Sequence, residues 1–371
     1  MKKLSIIHTL PIDYYPPAVN LINSLDELAN ISVITTRAAI GSRILTTGGN
    51  VKVYYGFNEV RRGNSIMNLI KHLWFVIYAI CKLIKEQPDI ILYYESISSF
   101  PAYLYKRYIN KNITVCSHYH EYMTKTEYKR PGMRIWNIYR HFEESWLFKH
   151  CNWISHTNSY RLDLFKNDYP FLNSTQCHVM PNYPPKKWIT KHKNLSKNGV
   201  IRCIYVGSLS LSDMFVKEFV EWANTMNGRI SIDFYAFNFH PDIISYFDKL
   251  NKPWINLYSH GVNYFDIPEL LSGYDIGLLL YKAKTLNYKY NETNKLYEYL
   301  ACGLNVWYPS TMLLIQNMAS RNLFINNRCK SFDSKKENWP NLSDITSVDN
   351  TEYDYYCERI YKSFLSQASN K

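Results

Sequence analysis

The segment NKLYEYLACGLNV, Asn294–Val306, sets an ammonium and a carboxylate three residues apart at Lys295 and Glu298. On a helix that spacing puts both on one face near the positive N-terminal end. A lysine there can neutralise a diphosphate, and a carboxylate can accept two hydrogen bonds from the cis-hydroxyls of a ribose. Asn294 opens the same turn, and Gly303 ends the helix so that NVWYP can enter a sheet. The plain alternative is an i,i+3 ion pair on a solvated surface, worth ~0.2–0.5 kcal/mol. VIRCIYVGSLS is a second candidate element. Its apolar run ends at Val206, and Gly207-Ser208 offers backbone N–H groups to an anion with no side chain at the glycine. His120 follows the apolar run ITVCSHY, where a strand should end. Its ordinary pKa near 6.5 suits proton handling or a hydrogen bond to a sugar, with His118 and Glu121 as alternatives and a structural histidine as the plain reading.

Elements that could position these residues alternate along the whole chain. In the first half LSIIHTL, ISVITT, VKVYYG, DIILYYE, ITVCSHY and CNWISHT read as strands. Between them lie amphipathic segments over about 18–29, 64–86, 100–109 and 134–150. Nearly continuous apolar strands alternating with helices imply an α/β fold of parallel sheets covered on both faces. After His178 the proline- and lysine-rich VMPNYPPKKWITKHKNLSKNG lacks any period and reads as a linker. The alternation then resumes. The expected architecture is two doubly wound, Rossmann-like domains facing across a cleft, with ligands outside the carboxyl ends of the strands. Expected boundaries are 1–183 for the first domain, 184–198 for the linker and 199–345 for the second. The remainder, 346–371, is expected to carry a helix that returns to the first domain.

Composition narrows the class. Of 371 residues 46% are hydrophobic and 20% charged, which argues for a globular chain and against disorder. The 33 tyrosines are read first as core residues and second as stacking surfaces. Eight scattered cysteines without CxxC spacing look like small buried side chains in a reducing compartment, which argues against a zinc site or disulfide framework. The opening MKKLSIIHTLPIDYYPP has too short an apolar stretch for a secretory signal, and LWFVIYAIC falls short of the ~20 residues that span a bilayer. A cytoplasmic protein is expected. The net charge of +12 sits entirely in residues 1–197, which hold 26 Lys+Arg against 13 Asp+Glu. Arg61-Arg62, KRYINKN and KTEYKRPGMRIW are its dense patches. Such a surface suits an anionic membrane face or nucleic acid, or simply faces solvent.

Taken in order, VGSLS, SHGVNYFDIPELLSGYDIGLLLY and NKLYEYLACGLNVWYP resemble the nucleotide-sugar half of GT-B glycosyltransferases. The likeness is to the bacterial group-1, family-4-like enzymes of surface-polysaccharide synthesis. DYYPPAVNLINSLDELANISVITT, SHYHEY and MPNYP resemble their acceptor half. The resemblance implies that Glu298 binds the ribose hydroxyls and that Lys295 with Gly207-Ser208 holds the diphosphate. It places Val262 at the nucleobase and Asn294 and Tyr290 in the donor site. His120 is set beside the transferred sugar, and Asp13, Tyr14 and Tyr15 on the acceptor side. The pattern is departed from where Tyr290 stands eight positions before Glu298 in place of a glutamate, with Glu292 out of step. The arginine often found after the glycine turn is also absent, since Ser208 and Leu209 follow Gly207.

The implied reaction is hexosyl transfer, with retention of configuration, from a UDP- or GDP-sugar to a glycan or lipid-diphosphate-linked acceptor in capsule, exopolysaccharide or O-antigen assembly. No Asp-x-Asp pair occurs in the chain, so transfer without metal or other cofactor is expected. The competing readings are a sugar-nucleotide epimerase on the same fold and a basic RNA-binding protein; no nucleic acid partner is expected. KHLWFVIYAICKLIK is expected to pack in the core with its lysines outward, or else to rest on the inner leaflet as a peripheral contact.

Overall fold

A computed structural model describes residues 1–38, 49–59, 65–195, 199–236, 239–250, 252–321, 328–335 and 339–369. Arg61-Arg62 and the end of the expected linker, 196–198, lie outside them. The chain divides into two compact units, Met1–Pro181 with Cys357–Lys371, and Asn182–Tyr356.

The first unit runs β1 (Lys2–His8), α1 (Pro16–Leu25), β2 (Ala29–Arg37), β3 (Val51–Asn58), α2 (Ser65–Glu86), β4 (Ile90–Tyr94), α3 (Ser99–Leu104) and β5 (Thr114–Tyr119). It continues with α4 (Arg134–Phe142), α5 (Phe148–His150), β6 (Trp153–His156), α6 (Ser159–Asp168) and β7 (Cys177–Val179). Its described strands form one parallel sheet in the order β3-β2-β1-β4-β5-β6-β7. β1 and β4 are buried over most or all of their length, as a central strand covered on both faces must be. Pro16-Pro17 starts α1, where a missing N–H costs nothing. α2 turns Phe75, Val76, Ala79 and Leu83 into the core, yet Leu73, Trp74, Ile77 and Ile84 stay exposed. Core packing therefore accounts for only one of its two apolar faces.

The second unit runs β8 (His192–Lys193), β9 (Ile201–Val206), α7 (Val216–Thr225), β10 (Ile230–Tyr235), α8 (Pro241–Leu250), β11 (Ile255–Tyr258), α9 (Ile267–Leu271) and β12 (Ile276–Leu278). It ends with α10 (Leu286–Lys289), α11 (Asn294–Ala301), β13 (Asn305–Pro309), α12 (Leu313–Ser320), β14 (Cys329–Phe332) and β15 (Val348–Asp349). Its main sheet is again parallel, in the order β11-β10-β9-β12-β13-β14, and β8 pairs antiparallel with β15. The stretch read as a linker begins inside this unit. Trp188 is buried in the core against Tyr264, its ring 4.9 Å away, and β8 joins a sheet. An aperiodic, proline-rich sequence is thus compatible with an ordered, extended segment. The final helix α13 (Cys357–Ser369) belongs to the first unit. It packs on α1, with Tyr361 donating to the Pro17 carbonyl at 3.0 Å and Phe364 set against Trp153.

Candidate functional site

Both main sheets reverse their strand order at one place, between β1 and β4 in the first unit and between β9 and β12 in the second. At such a switch point the loops leaving two neighbouring strands diverge and open a crevice at the carboxyl ends. The candidate chemistry of each unit gathers there.

In the second unit β9 ends at Val206, and Gly207 follows with φ of +143°. A Cβ at Gly207 would lie 2.6 Å from Cε and 3.0 Å from Nζ of Lys295, so the turn and the ammonium are in direct contact. Lys295 lies in the first turn of α11, whose N-cap Thr293 makes no side-chain capping bond. Its Nζ donates to the Tyr281 hydroxyl at 3.2 Å and lies near the Tyr205 and Tyr281 rings. Among the described residues Lys295 forms no ion pair. Burial alone would lower its pKa, but Tyr281 and then Glu298 raise it above the usual lysine value. The result is a cation beside a glycine turn and helical N–H groups that no side chain caps, with Glu298 supporting its charge from beyond ion-pair distance. That arrangement suits a bound anion.

Glu298 does not form the surface ion pair that its spacing permits. It is buried, its Oε1 accepts from Asn294 Nδ2 at 2.7 Å, and burial raises its pKa against the bonds from Asn294, the Lys295 charge and the bond from Tyr264. Tyr264 stands two residues beyond Val262, which packs on the same core cluster. Gly207, Ser208, Asn294, Lys295 and Glu298 thus come together. Tyr290 closes the end of α10, half-buried. A cavity of ≈ 480 Å³ adjoins the turn, lined by Ser208, Met214, His240, Tyr281, Lys284 and Tyr288 among others. A larger one of ≈ 540 Å³ around Lys149 and Asn173 lies at the amino end of β6, away from the switch point of its own sheet.

The alignment of α11 depends on a residue that sequence reading did not single out. Tyr299 lies across Gly277 of β12, where any Cβ would come within 2.2 Å of the ring, and its hydroxyl accepts from the Val206 N–H at 3.1 Å. One helix therefore holds the end of β9 and presents Lys295 to the turn that follows. Burial raises the Tyr299 pKa, which keeps the phenol neutral as a fixed partner.

In the first unit His120 follows β5 and is buried. Its imidazole stacks on Tyr94 at 5.1 Å and on Tyr15 at 5.5 Å, and Tyr15 also meets His8 at 4.3 Å. The loop after β1 and the histidine after β5 therefore meet. Asp13 is buried with its pKa raised by desolvation, while Tyr14 turns away to donate to Glu59 at 2.8 Å. His118 is the poorer candidate: its Nδ1 is held by Ser155 at 2.9 Å, and burial lowers its pKa to about 3.

Sequence reading also missed Glu95. It is buried at the end of β4 with φ of +60°, a conformation that costs a non-glycine residue of the order of 1–3 kcal/mol. Its Oε1 accepts the His120 N–H at 2.7 Å and the Glu121 N–H at 3.4 Å. Burial, then the charge of Glu121, push its pKa up to about 8 against those two bonds. The carboxyl thus holds the His120 turn and titrates near neutrality. A carboxylate directly after DIILYY was the available signal.

Two parallel α/β units, each with chemistry at its switch point, define the GT-B fold, and the chain has that fold. Solved structures of similar shape include the catalytic domain of starch synthase IV from Arabidopsis thaliana bound to ADP and acarbose, at 10% identity and a TM-score of 0.65, covering 100% of this chain and 99% of that one. Sucrose-phosphate synthase from Thermosynechococcus elongatus matches at 9% identity and a TM-score of 0.63, covering 99% and 98%. The UDP-GlcNAc 2-epimerase of Methanocaldococcus jannaschii, in complex with UDP-GlcNAc and UDP, matches at 12% identity and a TM-score of 0.55, covering 98% and 99%. No protein-family model and no curated protein matches the chain.

Proposed function

We propose that this chain is a glycosyltransferase that moves a hexosyl group, with retention, from a UDP- or GDP-linked donor to a glycan or lipid-diphosphate-linked acceptor of a surface polysaccharide. The observation that carries the reading is the Lys295 ammonium, held by the Tyr281 hydroxyl and seated against Gly207 at the switch point of the second sheet. The bond from the anomeric carbon to the diphosphate oxygen breaks as the acceptor oxygen bonds to that carbon; negative charge grows on the departing diphosphate, which takes up the proton that the acceptor hydroxyl loses. Lys295 and the N–H groups near Gly207 stabilise that charge where it develops, in a site that needs no reorganisation. Glu298, with its rotamer fixed by Asn294, takes the ribose hydroxyls. His120 attends the sugar and Tyr15 the acceptor. Transfer is proposed to run without metal, so turnover should survive EDTA. The similar solved structures that hold ADP or UDP support a nucleoside diphosphate as the ligand here.

A thermal-shift panel of UDP, GDP, ADP and their sugars tests the donor site. The matching nucleotide at 100 times its dissociation constant adds ~2.7 kcal/mol of stability. Lys295→Ala should weaken that nucleotide by at least about tenfold. Unchanged affinity in a Lys295→Ala/Glu298→Gln double variant overturns the reading. The epimerase alternative is favoured by one observation, the Glu95 carboxyl that titrates near neutrality beside Glu121. Interconversion of a nucleotide-sugar with no acceptor present selects epimerisation; transfer that depends on an added acceptor selects the transferase.

A further inference from the structure

We infer that the ≈ 480 Å³ cavity beside Gly207 receives the transferred glycosyl group and selects a sugar that bears a methyl group, as a 6-deoxyhexose or an N-acetylhexosamine does, over its fully hydroxylated counterpart. Two spaces adjoin the contact between Gly207 and Lys295. On the side of α9 and α11 stands Glu298, buried beside Asn294. On the side of α7 and α8 lies the cavity, whose Leu209, Met214 and Phe239 pack with the core under those two helices. Tyr281 joins the two spaces, since its hydroxyl takes the Lys295 ammonium at 3.2 Å while the residue lines the cavity. In a nucleoside diphosphate sugar the diphosphate separates the ribose from the glycosyl group. With the ribose at Glu298 and the diphosphate at Lys295, the reading on which this inference rests, the glycosyl group is directed into the cavity.

Bonds between the loops that form the cavity fix its shape. The Lys282 N–H donates to the Asp213 carbonyl at 2.9 Å, and the Phe215 N–H to the Leu280 carbonyl at 2.8 Å. Lys284 Nζ donates to the Ser212 carbonyl and to Asp213 Oδ1, both at 3.0 Å. Between these ties Ala283, one of the lining residues, is buried with φ of +49°. A residue with a Cβ keeps that conformation only where its surroundings impose it, and strain of this kind gathers at ligand sites. The volume falls within the range of about 300–1,000 Å³ that small-molecule sites occupy.

What the cavity offers changes with depth. At its rim Ser208, Asp213, His240 and Lys284 are exposed and polar. Deeper in, Leu209 and Met214 are each only 3% exposed, and Phe239 is half-buried. Tyr281 and Tyr288, stacked with ring centres 5.5 Å apart, add aromatic surface. A sugar hydroxyl set against Leu209, Met214 and Phe239 would give up its water and gain no hydrogen bond from them. A methyl group gains by leaving water there, while hydroxyls elsewhere on the ring reach the polar rim.

The test is titration calorimetry on the full chain with donors matched in nucleotide and ring configuration. UDP-N-acetylglucosamine is compared with UDP-glucose, and GDP-6-deoxymannose with GDP-mannose, with UDP and GDP alone as references. In at least one pair the methyl-bearing donor should bind at least about tenfold tighter than its partner, and the pair that shows it identifies the substituent. Met214→Gln keeps the side-chain length and an acceptor for the Tyr205 hydroxyl, which Met214 Sδ meets at 3.9 Å, but sets an amide among the apolar groups. It should cut that preference at least about fivefold, with a circular dichroism melt to show that the variant folds. The wild-type pairs decide without any variant. If neither UDP nor GDP binds, or Lys295→Ala leaves their affinity unchanged, the donor site falls and the glycosyl pocket with it. If a nucleotide binds in a Lys295-dependent way and both pairs bind equally, or the hydroxylated partners bind tighter, the methyl selection alone is overturned.

Discussion

Gly207 and Lys295 occupy space that only a glycine leaves open. Alanine at 207 would press on the lysine stem at 2.6 Å in a backbone region that disfavours L side chains. Gly207→Ala should therefore cost at least about tenfold in nucleoside diphosphate affinity by titration calorimetry, with the secondary structure retained by circular dichroism. Glu95 makes a different kind of prediction. Its pKa is higher folded than unfolded, so the stability it contributes is complete below about pH 4 and is lost as pH rises to about 8. Glutamine keeps the acceptor for the His120 N–H but cannot ionise. Between pH 5 and pH 8 urea-derived stability should fall more steeply for wild type than for Glu95→Gln, by an order of a few kcal/mol; parallel profiles would remove Glu95 as the titrating group. Lys295 and Glu298 were legible because their spacing is a local, helical property. Glu95 was not, because its burial and its bonds to the His120 turn arise only when β4 and β5 pair.

α11 carries its functional side chains accurately because two separate contacts anchor it. In its second turn Tyr299, one turn beyond Lys295, crosses Gly277 to reach Val206. At its end the buried Arg328 donates to the Leu300 carbonyl at 3.2 Å and to Asn350 at 2.8 Å. Asn350 in turn donates to the carbonyls of Leu300 and Ala301, so the last turn of the helix is capped by a cation and an amide. Gly277→Ala forces a methyl against a large, packed ring and should cost of the order of 3 kcal/mol by chemical denaturation. Arg328→Met strands buried carbonyls and should cost about 1–3 kcal/mol. If α11 is the element that sets the site, both variants should also weaken nucleotide binding, although neither residue approaches the proposed ligand. None of this could be read from the chain as a string. A glycine inside DIGLLLY marks close approach without saying what approaches, and Arg328 sits 27 residues past the helix it caps. What could be read was the existence of the helix and its stop at Gly303, because periodicity and a positive-φ glycine are written locally.

At the scale of the molecule, two copies of one strand order were visible as alternation, but the edges were not. β7 and β14 are short, and the proline-rich stretch after 181 gave no sign that Trp188 would anchor it in the second unit. The last helix, expected to return to the first domain, lies in the first unit. Its packing on α1 makes the first unit depend on residues from both ends of the chain, whereas the second unit is one continuous segment. The two units should therefore respond to different perturbations. Removal of 357–369 strips Tyr361 and Phe364 from α1 and Trp153, exposing apolar surface that only the first unit had buried. In calorimetry this truncation should lower one transition and leave the other in place. A saturating nucleoside diphosphate should raise the transition that the truncation spares, because the proposed anion site lies wholly in the second unit. A single transition moved by both perturbations would mean that the units unfold together, and a nucleotide that stabilised only the truncation-sensitive transition would put the anion site in the wrong unit.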